Sequence, residues 1–292
     1  MSFSFNWDDS CVIPKSLYVV ATPIGHIEDI TIRALKVLNH VDLIAAEDTR
    51  ETQKLLKHYM IHTPMIACHD HNESQCAETI IKQLQSGKSI ALVSDAGTPT
   101  ISDPGYSVVS MALKANISVI PIPGVSAVLT ALCVSGLPTD VFVFRGFLPK
   151  KQGKRQKILK QLSVESGTLV FYESPKRIIS LLDDMMQHFG DRPAMIGREL
   201  TKPYEEFIRG KLSIIQKAIL QKKAIKGELT LLVGGCETNY CFDNVNLHQQ
   251  IANFLNDHEE LPLSQNVKTM VKLLGVSKKK IYDIALKIKD YK

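Results

Sequence analysis

With 292 residues, 45% of them apolar and 22% charged, the chain has room for two domains and enough apolar side chain to exclude disorder over most of its length. The formal charge of +5 hides a split: residues 1–149 hold 10 Lys/Arg against 14 Asp/Glu, and residues 150–292 hold 25 against 16. Such asymmetry points the second half toward a polyanion, with a merely solvated basic face as the alternative.

The first half alternates short apolar runs with helical patterns. Leu17–Ala21 is predicted as a strand, and Asp29 as the cap of a helix whose apolar face is Ile32, Leu35 and Leu38. Further strands are predicted at Val41–Ala45, Met65–Cys68, Ile90–Ser94 and Ile117–Pro121. Helices are predicted through Leu55 and Leu56, over Ser74–Gln85, after Pro104 and over Val125–Val134. Strand alternating with helix at this spacing predicts a parallel, doubly wound sheet. Near Gly136-Leu137-Pro138-Thr139 the texture changes. Val141–Phe144, Thr168–Tyr172, Ala194–Leu200, Glu205–Arg209 and Glu228–Val233 read as strands of a second, more antiparallel layer, with helices over Ile178–His188 and Leu212–Gln221. Residues 245–292 read as two or three helices, with Ser264 and Ser277 as N-caps and Gly275 as a stop. The expected domains are residues 1–137, 138–238 and 239–292.

Six cysteines, Cys11, Cys68, Cys76, Cys133, Cys236 and Cys241, form no CxxC pair. Cys68 and Cys133 lie in apolar stretches and read as buried thiols. The opening MSFSFNWDDS lacks the basic and apolar regions of a signal peptide. Between Ala115 and Thr139 the chain is uncharged, but Pro121, Pro123, Gly124 and Gly136 break it, which suits a strand, a turn and a buried helix better than a membrane span. These features predict a cytoplasmic, reduced protein with no membrane partner.

In an open parallel sheet, ligands bind beyond the carboxyl ends of the strands. Here those ends lead into Thr22-Pro23-Ile24-Gly25, Glu47-Asp48-Thr49-Arg50, His69-Asp70-His71-Asn72-Glu73, Asp95 to Gly105, and Pro121 to Ser126. Small residues, prolines and carboxylates thus gather at one end of one sheet, where backbone can approach a ligand. No G-x-G-x-x-G follows the first strand and no G-x-S-x-G occurs. Gly87-Lys88-Ser89 imitates a P-loop end but precedes a strand, so Gly87 reads as a helix stop. His69 and His71 could share a metal, but no third ligand is evident and the loop-histidine reading, with Asp70 and Glu73 positioning them, is preferred. No metal is expected. The basic run Lys150-Lys151-Gln152-Gly153-Lys154-Arg155-Gln156-Lys157 follows Arg145-Gly146-Phe147. It offers cations for phosphates beside an aromatic surface, or only a solvated helix start.

Together the segments YVVATPIGHIEDITIRALKVLNHVDLIAAEDTR (Tyr18–Arg50), ALVSDAGTPTISDPGY (Ala91–Tyr106), PIPGVSAVLTAL (Pro121–Leu132), SGLPTDVFVFRGFLPKK (Ser135–Lys151), FYESPKRI (Phe171–Ile178), RELTKPYEE (Arg198–Glu206) and KGELTLLVGG (Lys226–Gly235) resemble the ribosomal RNA small subunit methyltransferase I family over residues 17–235. His26 departs from the Asn usual in that family. The resemblance implies an α/β, tetrapyrrole-methylase-like fold of two α/β domains with S-adenosylmethionine in the cleft between them, plus the small C-terminal helical region. It also implies a homodimer and 2′-O-methylation of a cytidine ribose in the decoding region of 16S rRNA within the small ribosomal subunit. By the same resemblance, Pro23, Gly25, Ala96, Gly97, Thr98, Ser102, Gly124, Ser126 and Ala127 would hold the donor, bordered by Tyr172, Glu173, Gly227, Glu228 and Leu229. A ribose hydroxyl needs a base or a cation within hydrogen-bond reach, for which Asp95, Asp103 and Glu47, with Arg50 or Lys202 as the cation, are the candidates and Asp95 is preferred. Arg145, Lys150, Lys151, Lys154, Arg155 and Lys157 would face RNA. A porphyrin or corrin methylase of the same fold and a non-catalytic RNA binder are the alternatives.

Overall fold

The structure, a computed structural model, describes residues 12–222, 224–236, 244–258, 260–274 and 276–290. Ten elements build the first half: β1 (Ser16–Val20), α1 (Ile32–His40), β2 (Leu43–Ala46), α2 (Thr49–His58), β3 (Met65–Ala67), α3 (Glu73–Gln85), β4 (Ile90–Val93), α4 (Tyr106–Lys114), β5 (Ser118–Ile122) and α5 (Ala127–Cys133). The strands pair in the order β3-β2-β4-β1-β5, all parallel. Because side chains alternate along a strand, Tyr18, Val20, Ile44 and Val93 join the core under α1 and α2, while Leu17, Leu43, Ile90 and Leu92 join the core under α3 and α4. Both faces are covered, as a parallel sheet requires.

The second sheet is β6 (Phe142–Phe147), β7 (Thr168–Glu173), β8 (Pro193–Arg198), β9 (Glu206–Lys211) and β10 (Leu229–Val233), in the order β6-β7-β10-β8-β9, parallel only between β6 and β7. Helices α6 (Gln152–Leu162), α7 (Ile178–Phe189) and α8 (Leu212–Leu220) cover one face, around Leu169, Phe171, Leu181 and Leu231. Its other face has no helix of its own. Val170, Met195 and Leu232 instead pack on Ile24, Val128, Ala131 and Leu132 of the first half. At about 1.5–3 kcal/mol for each large apolar side chain buried, that shared core fixes the two sheets against each other and leaves a cleft along its edge. Residues 244–290 form α9 (Asn244–Asp257), α10 (Leu263–Leu274) and α11 (Lys278–Asp290), packed on one another around Leu247, Ile251, Met270 and Ile281.

Several local expectations change. Thr31, not Asp29, caps α1 by accepting from the Ala34 N–H, because Ile27–Asp29 winds into a separate 3-10 turn. Ile32, in the first turn of α1, is exposed and outside the apolar face. Cys133 is exposed, its thiol donating to the Thr130 carbonyl, whereas Cys68 is buried. Ser264 lies inside α10 and does not cap it. Ser277 Oγ does accept from the Lys280 N–H, at 3.4 Å. Gly275, Cys11 and Cys241 lie outside the described residues.

Candidate active site

The first-sheet loops are tied at the backbone. Thr22 and Gly97 exchange N–H···O bonds of 2.9 Å in both directions, and the Thr22 hydroxyl donates to the Ser94 carbonyl at 3.0 Å. Pro23 and Gly25 therefore stand beside Ala96, Gly97 and Thr98. From the β5 side, Gly124 comes so close to Ala21 that a Cβ on it would lie 2.8 Å from the Ala21 Cβ, and Ser126 and Ala127 open α5. From the second domain, a Cβ on Gly25 would lie 2.7 Å from the Leu200 carbonyl oxygen and 2.5 Å from Thr201 Oγ1, which accepts from the His26 N–H at 2.9 Å. Only glycine permits that approach of backbone to backbone. His26 also caps the 3-10 turn, its Nδ1 accepting from the Glu28 N–H at 3.3 Å. An asparagine amide oxygen can make the same bond, so the departure at this position preserves the cap.

Two hollows flank this junction. One is lined by Thr22, Pro23, Gly25, Thr52, Ser94 and Asp95. The other, of about 570 Å³, is lined by Asp29, Thr31, Pro123, Gly124, Thr130 and Thr201. Small residues supply much of both walls, with Ile27, Glu51 and Leu55 beside them in the first and Val125 in the second. A cradle of this kind, within the size range of small-molecule pockets, fits a nucleoside-bearing ligand held mainly by main-chain groups.

Carboxylates gather at the ends of β2 and β4. Glu47 Oε2 accepts from the Asp95 N–H at 3.2 Å, and Asp95 Oδ1 accepts from the Asp48 N–H at 2.9 Å. Burial raises the carboxyl pKa of both. Asp103 goes furthest: burial, then the negative charges of Glu47, Asp95 and Asp70, push it up to about 7. Its loop is strained, with Thr100 at φ 74° and Ser102 at φ 66°. Non-glycine residues hold such angles only when the surroundings impose them, at about 1–3 kcal/mol each. One imposed restraint is Glu73, whose Oε1 accepts from the N–H groups of Gly105 at 3.0 Å and Ser107 at 2.7 Å.

Across the cleft, burial and then the charges of Asp103 and Glu228 push the Tyr172 hydroxyl up to about 12, so it stays protonated. Lys202 bridges Glu199 and Glu228 at 3.1 and 3.0 Å. Burial works against its charge, but the two carboxylates outweigh it and its pKa is raised. Glu199 in turn accepts from the Glu228 N–H at 2.9 Å, and its side chain fills the space a Cβ on Gly227 would need.

Not every predicted site residue reaches this cleft. On β7 the alternation sends Tyr172 toward the first domain and Glu173 the opposite way, where its carboxylate accepts from Arg177 Nε and Nη2 and from the Ser174 N–H. Leu229 likewise turns into the helix-side core. Either residue can border a ligand only through its backbone. Arg50 is exposed and paired with Asp48, holding that carboxyl down at about 2. Asp95 orders the loop through Asp48, a use that competes with the role of base. Arg155 leaves the RNA-facing set altogether: it is 4% exposed and ion-paired with Asp184 at 2.5 Å, with Gln152 and Gln156 on the same carboxylate. Arg145, Lys150, Lys151, Lys154 and Lys157 are exposed. The His69 and His71 rings lie 6.0 Å apart, and no group of three potential metal ligands forms among the described residues. Neither is positioned by Glu73, which is engaged at Gly105 and Ser107. Sequence reasoning missed Thr201, Glu199 and the Glu73 clamp. The run Arg198–Glu206 carried the only local signal for the first two.

Residues 16–216 match the family described as Tetrapyrrole (Corrin/Porphyrin) Methylases. The ribosomal RNA small subunit methyltransferase I of Halalkalibacterium halodurans is 50% identical over 222 residues, covering 75% of this chain and 76% of the relative. Its namesake from Synechocystis is 43% identical over 275 residues, covering 93% and 98%. Among solved structures, a cobalamin biosynthetic enzyme, cobalt precorrin-4 methyltransferase, superposes with a TM-score of 0.57 at 17% identity, over 75% of this chain and 95% of its own. Uroporphyrin-III C-methyltransferase from Thermus thermophilus, in complex with S-adenosyl homocysteine, gives 0.55 at 16%, over 74% and 96%. The structural neighbours speak for the fold alone. The sequence relatives go further, and with them the chain belongs to the ribosomal RNA small subunit methyltransferase I family, built on the tetrapyrrole methylase fold.

Proposed function

We propose that this protein transfers a methyl group from S-adenosylmethionine to the 2′-hydroxyl of a cytidine ribose in the decoding region of 16S rRNA, acting in the cytoplasm as a homodimer on the assembled small subunit. The observation that carries the chemistry is Asp103, a half-buried carboxyl group on the strained loop after β4, pushed up to about 7 by burial and by Glu47, and near enough to Tyr172 to raise its hydroxyl. Backbone groups of Pro23, Gly25, Ala96, Gly97, Thr98 and Gly124, with Ser102, Ser126 and Ala127, would hold the donor. Tyr172, Gly227 and Glu228 would close its second-domain side.

When bound, S-adenosylmethionine supplies an electrophilic methyl carbon on a sulfonium. What remains for the protein is placement and proton removal. Asp103 takes the ribose hydroxyl proton as the oxygen attacks. A base whose pKa lies near the working pH is available in its ionised form and still basic enough to help, a contribution of about 10²–10⁴-fold. Asp103 therefore replaces Asp95 as the preferred base. Lys202 is neutralised by Glu199 and Glu228 and serves the cleft wall more than a developing alkoxide. Exposed Arg145, Lys150, Lys151, Lys154 and Lys157 take the phosphates. No helix of the described residues is long and apolar enough to cross a membrane.

Labelled donor and undermethylated small subunits test the reading. Label retained in an alkali-resistant dinucleotide is expected, because a 2′-O-methyl blocks cleavage at that ribose. Label on a base, or on a tetrapyrrole offered instead, would reject it.

A further inference from the structure

Phe147 ends β6 at the cleft mouth, and the proton transfer makes no use of it. It is 59% exposed, unusual for a phenylalanine beside a core. Its ring lies 5.7 Å from that of Tyr172, which meets Phe144 edge-on at 5.0 Å, so Phe147 is the outer member of an aromatic row leading to the hydroxyl that senses Asp103. Its backbone is held from both sides. Before it, β6 bulges between Phe144 and Gly146, and Gly146 adopts φ 58° so close to the other domain that a Cβ would lie 2.8 Å from Ser102 Oγ, next door to Asp103. After it, Arg177 Nη2 donates to the Leu148 carbonyl at 3.2 Å while the buried Glu173 grips the same guanidinium. Three residues on, the exposed lysines begin.

An exposed ring on a backbone held from both sides, between Asp103 and a row of cations, has the makeup of a nucleobase platform. Asp103 is half-buried, and a ribose unstacked from its RNA helix reaches such a carboxylate more readily than one held in the helix. Stacking lost in the RNA must then be replaced, and single-stranded RNA is generally held on aromatic side chains. We propose that the base of the acceptor nucleotide stacks on Phe147, which makes Phe147 a positioning residue that delivers the ribose to Asp103. The inference rests on the RNA methyl-transfer reading above.

Phe147→Leu keeps apolar bulk and loses the π face. Phe147→Trp keeps the face, and in a Trp7→Phe background the introduced indole is the chain's single tryptophan. The expected results for F147L are a rise of about 5- to 150-fold in KM for small subunits, an unchanged dissociation constant for S-adenosylmethionine and an unchanged melting temperature. F147W should restore KM, and its indole fluorescence should be quenched by undermethylated subunits but not by the donor alone. Unchanged KM in F147L, or an unquenched indole in F147W with subunits bound, overturns the proposal. So does a weakened donor with normal subunit KM, which would put the donor's adenine on this ring. If F147L fails to fold, the quenching in F147W decides. A wild-type protein that labels no RNA fails the underlying reading instead, and that result is read before any variant is made.

Discussion

Asp103→Asn should abolish most of the activity and yet make the protein more stable in alkaline solution. The substitution is nearly isosteric, so packing and the strained loop persist. A folded-state pKa near 7 against an ordinary 3.8 means that folding holds the proton more tightly than the unfolded chain does. Stability is therefore unaffected below about pH 4, declines as pH rises toward 7, and stays reduced above that. With complete burial the penalty above pH 7 would be about 4 kcal/mol. The cleft side is open to water, which screens it to roughly 2 kcal/mol. Asn carries no charge and escapes the penalty, so its melting temperature at pH 8 should exceed that of wild type by about 3 °C. At pH 5 the gain should shrink to about a third, since only the interval from 3.8 to 5 contributes. Calorimetry across pH 4–8, beside methyl-transfer rates at saturating donor, checks both halves. A stability difference that does not grow with pH would refute the electrostatic reasoning. Wild-type rates in the variant would remove Asp103 as the base.

The other substitutions separate neighbouring roles. Glu47→Gln removes a like charge beside Asp103 and lowers its pKa, so the ionised base is present at lower pH; the acid limb of the pH–rate profile, near 7 in wild type, should move down, and an unmoved limb would show that Glu47 does not set it. Glu73→Ala leaves the Gly105 and Ser107 N–H groups without their acceptor, which should cost about 1–3 kcal/mol in a denaturant melt and speed amide exchange at those two positions; normal exchange there would dismiss the clamp. Arg155→Ala strands the buried Asp184 and should cost about 3–5 kcal/mol with no change in the salt dependence of subunit binding. By contrast, Lys151→Ala with Lys154→Ala should leave stability alone and reduce the salt slope by about 2; equal effects from both sets would undo the division between buried and phosphate-facing cations.

The parallel half was legible because its strands are short apolar runs separated by helical patterns, and such strands bury both faces in a parallel sheet. The loop cluster followed from strand polarity alone. Failures arose where a one-dimensional reading cannot distinguish the two sides of an element. Tyr172 and Glu173 are adjacent in sequence but belong to opposite faces of β7, and only the helices packed on one face decide which residue sees the cleft. Arg155 sits in a basic run, yet the turn of α6 carries it inward to Asp184, a partner 29 positions away. Glu73 was read as a histidine's companion because its donors are backbone N–H groups 32 and 34 residues further on, and backbone leaves no trace in composition.

Backbone strain marks two loops of the candidate site. Of the seven non-glycine residues in the left-handed region among the described residues, four occur in pairs on two loops of the candidate site, Thr100 and Ser102 before Asp103, and Glu199 and Thr201 beside Lys202. Each pair is held from outside: Glu73 fastens the first loop, and the Gly25–Thr201 approach presses on the second. Strain of this kind is retained where relaxation would move something that matters, and relaxing either loop would move Asp103 or the wall opposite it. The charge split fits the same division. The acidic first half supplies the Glu47, Asp95 and Asp70 carboxylates that help burial push Asp103 up to about 7. The basic second half keeps its exposed lysines at the cleft mouth, away from that cluster, and neutralises Lys202 with Glu199 and Glu228. On the proposed function, a cation set directly beside Asp103 would pull its carboxyl back toward the ordinary range and make it a poorer base, which favours keeping phosphate attraction and proton removal in different parts of the chain.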